Sequence, residues 1–402
     1  MKKRYDIVIV GGGVTGLAVA ALLAKGPQSD ALRISLIDAA ERPKHDPAGD
    51  VELRVSAIAS GSADILNAVG AWDHVISTRA CPYEHMRVWD EVDEPDGPSA
   101  LKFDADEFGI PQLGFIVENL LLQDALLRVL DRTDVTLRFA SPIAGVERDG
   151  ERYRLDLEDC RQVEADLVIA ADGARSFVRD TAGIEVDEWP YAQTAFVTHL
   201  VPEMPHGGTA RQRFLADGPL GMLPLADGRI SVVWSTTPEV AERALAASAD
   251  ELGEMLTAVS NRVLGALEVA GPRGAFPLCA RHARHYVLSR LALIGDAAHA
   301  VHPLAGQGAN LGLQDAWTLS EVIKEAITSG EHPGDRPVLR RYERTRKGAN
   351  ATMLHFMTGL NHLFGSDSPI LGDVRRAGMR LFNASGPVRE RAVRVALGAR
   401  RQ

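Results

Sequence analysis

The chain has 402 residues, 46% of them hydrophobic and 24% charged, with a formal charge of -10 at pH 7. This composition excludes a disordered tail protein, a collagen and a disulfide-stapled secreted module, and the acidic balance argues against a nucleic-acid partner. The three cysteines, Cys81, Cys160 and Cys279, are odd in number and far apart, which fits reduced thiols.

In chain order, Tyr5 to Val10 is a short apolar run expected to form a buried parallel strand. Glycines follow, and Val14 to Lys25 has helix-forming composition. The basic start and apolar stretch resemble a signal peptide, yet Asp6 and the glycines interrupt them and a strand-turn-helix accounts for every residue. Arg33 to Ile37 is the next predicted strand, ending at Asp38, and 43 to 50 reads as a loop. Arg87 to Trp89 gives way to the solvated acidic turn DEVDEPDGPS. Leu120 to Leu130 predicts a helix, Val135 to Ala171 several strands, and Trp189 to Trp234 a β-rich stretch. Glu239 to Leu267 returns to helix. Leu291 to Ile294 is a buried strand, followed by a Gly-rich segment that opens a helix, and a helical tail begins near residue 340. Gly348 to Ser366 is uncharged but too polar for a bilayer span. It predicts an amphipathic helix with Met353, Phe356, Met357, Leu360 and Phe364 at helical spacing.

Three motifs carry chemistry. Gly11-Gly12-Gly13-Val14-Thr15-Gly16 is a G-x-G-x-x-G between strand and helix, where Gly11, Gly13 and Gly16 allow a tight turn, close approach to a pyrophosphate and close helix packing. Asp38, 22 residues beyond Gly16, stands where a carboxylate binds ribose hydroxyls and disfavours a 2'-phosphate, pointing to FAD or NAD. The second motif is ADLVIAADGARSFVR, with Asp172-Gly173 ending a buried strand; alone, it reads equally well as a plain strand-to-turn junction. The third runs from Leu293-Ile294-Gly295-Asp296 through His299, His302 and Pro303 to Gly306-Gln307-Gly308-Ala309-Asn310. An acid at the strand end can accept hydrogen bonds from a ribityl chain, and a helix start after glycines suits the ring edge where flavin reduction places charge.

These motifs, in this order, resemble the FAD-dependent aromatic hydroxylases related to para-hydroxybenzoate hydroxylase, and most closely the ubiquinone-biosynthesis hydroxylases. The likeness is carried by GDAAHAVHPLAGQGANLGLQDA at 295 to 316, with further echoes in RVSAIASGS (54 to 62), GFIVENLLLQDALL (114 to 127), WPYAQTA (189 to 195), QRFLADGPLGMLPL (212 to 225) and MTGLNHLF (357 to 364). The resemblance implies a flavoprotein monooxygenase. NAD(P)H reduces FAD, oxygen adds as a C4a-hydroperoxide, and one oxygen atom passes to an electron-rich ring. Gly11, Gly13, Gly16 and Asp38 would hold the ADP half, Arg54 the phosphate region, and Asn119 another part of FAD. Asp172 and Gly173 match a motif serving FAD and NAD(P)H. Asp296 would hold the ribityl chain, while Gly306, Gly308, Ala309 and Asn310 would face the ring. The Pro303 carbonyl would lie near the substrate. No tyrosine pair matches the family's phenol-activating tyrosines, which leaves the catalytic base unassigned, with the Pro303 backbone and His299 as candidates. No second G-x-G-x-x-G offers NAD(P)H a Rossmann site of its own.

The expected architecture is α/β (α+β overall). A Rossmann-type FAD-binding domain (1-75, 104-185 and 270-340) is interrupted by a mostly antiparallel β substrate domain (76-103 and 186-269), and a helical region (341-402) ends the chain. Cys279, His282 and His285 have metal-like spacing but lack a fourth ligand, so no metal is expected. Trp189, Tyr191, Gln193, Phe196, Met222, Leu223 and Trp234 are candidates for a substrate wall, only a minority of them expected to touch substrate. Residues 373 to 402 hold eight arginines against Asp373 and Glu390. This reads either as a solvated helical tail or as a basic surface for anionic lipid or a quinone-biosynthesis complex. The expected function is hydroxylation of a (poly)prenylated phenol in ubiquinone biosynthesis, in the cytoplasm or on the inner face of the membrane. Rival readings are a hydroxylase of a small aromatic acid and a FAD-loaded accessory subunit. A flavin halogenase is disfavoured because the W-x-W-x-I-P motif is absent.

Overall fold

The computed structural model describes residues 3-26, 32-302, 306-364 and 369-396. The apolar run Lys3–Val10 forms the middle of an eight-stranded sheet, parallel to Ile34–Ile37 on one side and to Gln162–Ala170 on the other. Leu291–Leu293 and Thr136–Arg138 extend the parallel core at its two edges, and the hairpin Ile143–Asp149/Arg152–Leu157 pairs antiparallel to the start of Gln162–Ala170. Ile7, Val8 and Ile9 are fully buried, as expected of a strand covered on both faces. The helix Val14–Leu23 is apolar all round and packs between this sheet and the helices Asn119–Leu130 and Gln307–Thr328.

A second, nine-stranded sheet carries the order 299-300, 274-283, 186-202, 230-236, 218-224, 209-215, 85-90, 101-104, with 267-269 on the end of 186-202. It is antiparallel except where Thr209–Leu215 runs parallel to His85–Asp90. Helices Pro238–Ala246 and Ala249–Val259 cover one face and bury Trp89, Phe196, Leu220, Met222 and Trp234. A small sheet of Val55–Ala59, Cys81–Tyr83 and Gly114–Glu118 completes the β structure among the described residues.

Four expectations need correction. The helix predicted over 239 to 267 is two helices, because Ser248 forms a capping box with Glu251 and restarts the chain; the stretch ends in a strand at Leu267–Val269. Gly274–Ala283 belongs to the second sheet, pairing with Val186–Pro202, although 270-340 was assigned to the first unit. The tail boundary near 340 falls inside one continuous helix, Arg336–Phe364, which buries Leu339, Tyr342 and Arg346. Phe356 lies off that helix's apolar stripe and is 57% exposed, whereas Met357 and Phe364 pack under Phe214 and Val88.

Candidate functional site

The first motif folds as a backbone cradle. Gly11 has φ +111°, and a Cβ there would overlap the Ala171 carbonyl, so no other residue fits without moving the neighbouring strand. A Cβ on Gly13 meets nothing within 4 Å. Gly13 is also the N-cap of the Val14–Leu23 helix, with no side-chain cap and no acid in the first turn. Its first N-H groups thus have no side-chain acceptor, the condition under which a helix start can take an anion. Asp38 accepts from the Gly12 N-H through one oxygen and from the Ala40 N-H (2.7 Å) through the other, which fixes it at the strand end. Gln123, which the sequence reading did not single out, donates to the Gly12 carbonyl at 3.0 Å and ties the Asn119–Leu130 helix to the same turn.

The third motif builds a second open helix start. Gly306, the N-cap of Gln307–Thr328, has φ +62°, and a Cβ there would stand 2.8 Å from Ala57 Cβ. Again no side chain caps the helix and no acid stands in its first turn, while Gly308 faces open space. Thr15 fits against Gly295 and Gly312, where added Cβ atoms would crowd or overlap it, so the two helix starts are packed together. Asn310 has its side chain committed elsewhere. Its Nδ2 donates to the Ala57 carbonyl (2.8 Å) and its Oδ1 accepts from the Ala59 N-H (2.9 Å), which leaves Ala309 and the backbone to face any ligand. Asp296 keeps solvent access, yet the protein around it desolvates the carboxyl and raises its pKa.

The remaining predicted residues lie on other elements. Asn119 accepts from Ser56 Oγ (2.6 Å), and its N-H donates to the Arg54 carbonyl (2.9 Å). Arg54 is exposed, with its guanidinium 6.0 Å from the Phe276 ring centre. Asp172 accepts from Ser176 Oγ (2.5 Å) and the Val178 N-H (3.1 Å); burial raises its pKa in spite of them. Gly173 adopts φ +84° beside it. Pro303 lies outside the described residues.

The substrate-wall candidates divide. Phe196, Met222 and Trp234 belong to the core under the two covering helices. Leu223 packs on the other side with Val51, Ala57 and Ile116. Trp189, Tyr191 and Gln193 line a cavity of about 400 Å³ together with Thr358 and Asn361. His282 is paired with the Tyr286 hydroxyl at 3.0 Å, and burial lowers it to about 4.

Behind the third motif lies a buried polar network that sequence reasoning missed. Asp315 is fully buried and accepts from His299 Nε2 (2.5 Å), Arg346 Nε (2.6 Å), the Gly295 N-H (3.1 Å) and Asn350 Nδ2 (3.1 Å). Burial pushes its carboxyl up, but the charges and hydrogen bonds of His299 and Arg346 outweigh this and hold it down to about 2. The signal was legible in principle: Leu339, Tyr342, Arg346, Asn350 and Met357 share one helical stripe, and two polar residues on such a stripe demand a partner.

Two helix starts without side-chain caps lie packed together, with Asp38 and Asp296 just beyond strand ends of one sheet, an arrangement compatible with a dinucleotide cofactor. Residues 4–357 match the FAD binding domain family. The chain is 35% identical to 3-demethoxyubiquinol 3-hydroxylase of Escherichia coli over 396 residues, 98% of each chain. It is 35% identical to ubiquinone hydroxylase UbiL of Rhodospirillum rubrum (98% of this chain, 90% of that one), and 33% to the human ubiquinone biosynthesis monooxygenase COQ6 (96% and 91%). In fold it resembles PqsL of Pseudomonas aeruginosa (TM-score 0.78, 21% identity, 94% and 99% covered) and p-nitrophenol 4-monooxygenase PnpA of Pseudomonas putida (0.76, 19%, 99% and 97%). The chain belongs to the FAD binding domain family, and within it to the ubiquinone-biosynthesis hydroxylases. It is a FAD-dependent monooxygenase, an enzyme class that takes NAD(P)H as co-substrate.

Proposed function

We propose that this chain hydroxylates the aromatic ring of a (poly)prenylated phenol or quinol on the route to ubiquinone. The observation that carries the reading is the end-to-end likeness to the 3-demethoxyubiquinol 3-hydroxylase of Escherichia coli. Bound FAD would supply the redox chemistry, hydride acceptance from NAD(P)H and oxygen-atom transfer from O2 to an electron-rich ring. The chain's own part is to bind and to orient. The turn at Gly11, the N-H groups after Gly13 and the Asp38 carboxylate would hold the ADP half, with Gly16 allowing the close helix packing behind them. Arg54 would reach the phosphate region and Asn119 another part of FAD. Asp172 with Gly173 would serve FAD and NAD(P)H, and Asp296 would hold the ribityl chain. Gly306, Gly308, Ala309 and the Asn310 backbone meet the ring edge with an open helix end, where the positive end of the dipole favours negative charge. In this reading the first sheet unit serves FAD, and the second sheet supplies the walls around the substrate ring.

Among the described residues no helix is long and apolar enough to cross a membrane. The tail helices Pro369–Ala384 and Pro387–Ala396 expose Arg380, Arg391 and Arg394, with Leu381 72% exposed. This favours a peripheral position on an anionic bilayer, where a prenylated substrate resides.

The test is anaerobic reduction of the bound flavin by NADH or NADPH, with and without a prenylated phenol. Bleaching accelerated by the phenol is the expected result. Flavin that stays oxidised with both nicotinamides and several phenols overturns the reading.

A further inference from the structure

The family resemblance left the catalytic base unassigned, and one buried atom of the structure answers to that need. His302 is 1% exposed. Its Nε2 lies 3.2 Å from Gln193 Oε1. Gln193 donates its own Nε2 to the Asp217 carbonyl (2.8 Å), and its Oε1 also accepts from Asn361 Nδ2 (3.1 Å). The amide oxygen is thus the acceptor on the His302 side, so the histidine proton sits on Nε2 and Nδ1 carries a bare lone pair. Nδ1 is buried with no hydrogen-bond partner. Leaving such an acceptor unpaired costs about 1–3 kcal/mol, and an orphan of this kind calls for an explanation.

Its position supplies one. His299–Ala300 pairs with Arg281–His282 of the second sheet, and Gly306 opens the Gln307–Thr328 helix four residues after His302. His302 therefore stands in the short passage from that sheet to the helix start read above as the flavin-ring site. The opposing strand is bent to meet it. A bulge between Pro190 and Thr194, with Ala192 at φ +52°, sets Tyr191 edge-on to the His302 ring (4.9 Å between centres) and brings Gln193 to its Nε2. Bulges that re-aim side chains are common next to active sites.

We propose that Nδ1 of His302 is the proton acceptor for the ring hydroxyl of the substrate, an inference that rests on the hydroxylase reading above. The O-H bond of the ring hydroxyl breaks, an N-H bond forms at Nδ1, and the electron pair stays on the ring oxygen, where it enriches the ring carbons ortho and para to it. The Nε2-H remains donated to Gln193 and shares the new positive charge. After oxygen insertion the proton returns to the ring oxygen. Burial lowers the imidazole to about 4, so it is neutral near neutral pH with its Nδ1 lone pair free, and the ring oxyanion formed beside it would offset that lowering by favouring the protonated form. Of the titratable groups around it, Tyr191 lies against the His302 ring, Cys279 lies near Tyr191, and Glu188 and His362 line the cavity beyond Gln193.

The probe is 2-prenyl-4-nitrophenol, whose phenolate is yellow, titrated on the FAD-loaded protein. The expected result is that the ionisation midpoint of the bound probe falls by at least about one pH unit, a tenfold change in proton affinity. In His302→Gln, which keeps a group facing Gln193 but lacks Nδ1, the midpoint returns to that of the free probe. A second measurement needs no variant: in wild-type protein labelled with 15N-histidine, one histidine gains a proton at Nδ1 when the probe binds. A bound probe with the same midpoint in both proteins, or no histidine protonated on binding, overturns the role of His302 and leaves the hydroxylase reading standing. If the wild-type flavoprotein binds no phenol at all, the hydroxylase reading fails and this inference fails with it.

Discussion

His299 and His302 stand three residues apart, both almost fully buried, and their surroundings are opposites. His299 faces Asp315 at 2.5 Å inside a network that also engages Arg346, Asn350 and the Gly295 N-H. His302 has one polar partner and one bare nitrogen. A saturated network in a low dielectric fixes geometry, and here it fixes the strand end that carries Asp296. An unsaturated group in the same dielectric stores a cost that a ligand can relieve. The comparison separates a residue that positions from one available for chemistry, although the two share a motif and a residue type.

The largest effect should come from breaking the saturated side. Asp315→Ala leaves the Arg346 guanidinium buried without its carboxylate, which costs about 3–5 kcal/mol. Urea unfolding of the FAD-loaded protein should show this as a lower midpoint. A loss below about 1 kcal/mol would mean that the network contributes little to stability.

Acid should act on the two sides in different pH windows. His302 is lowered from 6.5 to about 4, so the unfolded chain binds more protons between those values, and its contribution to stability falls as pH drops through that window. The loss is about 3 kcal/mol by pH 4. Asp315, lowered from 3.8 to about 2, contributes stability above pH 4 that is lost only as pH falls from about 4 to about 2. Thermal melts from pH 7 to pH 4 should therefore decline in wild type and be flatter in His302→Gln. An equal decline in both would assign the acid sensitivity to other groups, His282 first among them.

Gly306→Ala tests the helix start that both histidines flank. The substitution places a Cβ 2.8 Å from Ala57 Cβ at φ +62°, a strain of about 1–2 kcal/mol. The expected outcome is weaker FAD retention on dilution, with a smaller change in the melting of the apoprotein.

The contrast between the histidines also shows what a sequence carries. The glycine turn and the strand ends before Asp38 and Asp296 were legible as local structure, because each is set by an apolar run and the few residues that follow it. Asp315 lies inside the third motif, but its role depends on Arg346 and Asn350, which reach it only when the Arg336–Phe364 helix packs across. His302 was likewise visible, whereas the orphaned state of its Nδ1 depends on a bulge in a strand more than a hundred residues earlier. Among the wall candidates, alternation along the strands identified half-buried positions without telling the face turned to the covering helices from the face turned to the cavity. The break in the helix predicted from 239 was missed for a related reason: composition across it stays helix-like, and the capping box that starts a new helix at Ser248 depends on side chains turned back to the backbone.

The smallest predicted effect bears most directly on the unsaturated side. The Tyr191 hydroxyl is 2.8 Å from Thr358 Oγ1 on the Arg336–Phe364 helix, and the Tyr191 ring lies edge-on to His302. Tyr191→Phe removes the hydrogen bond and keeps the ring, a loss of about 1 kcal/mol in stability. If Tyr191 only walls the histidine, the variant should keep the lowered ionisation midpoint of a bound phenol, because the edge contact and the Gln193 bond both remain. If the hydroxyl itself takes the proton, the midpoint should rise in Tyr191→Phe and stay low in His302→Gln. Burial raises the Tyr191 hydroxyl above its usual range, which makes the phenolate it would need as a base scarcer still. The two variants together therefore assign the proton to one side of a single edge-to-face contact.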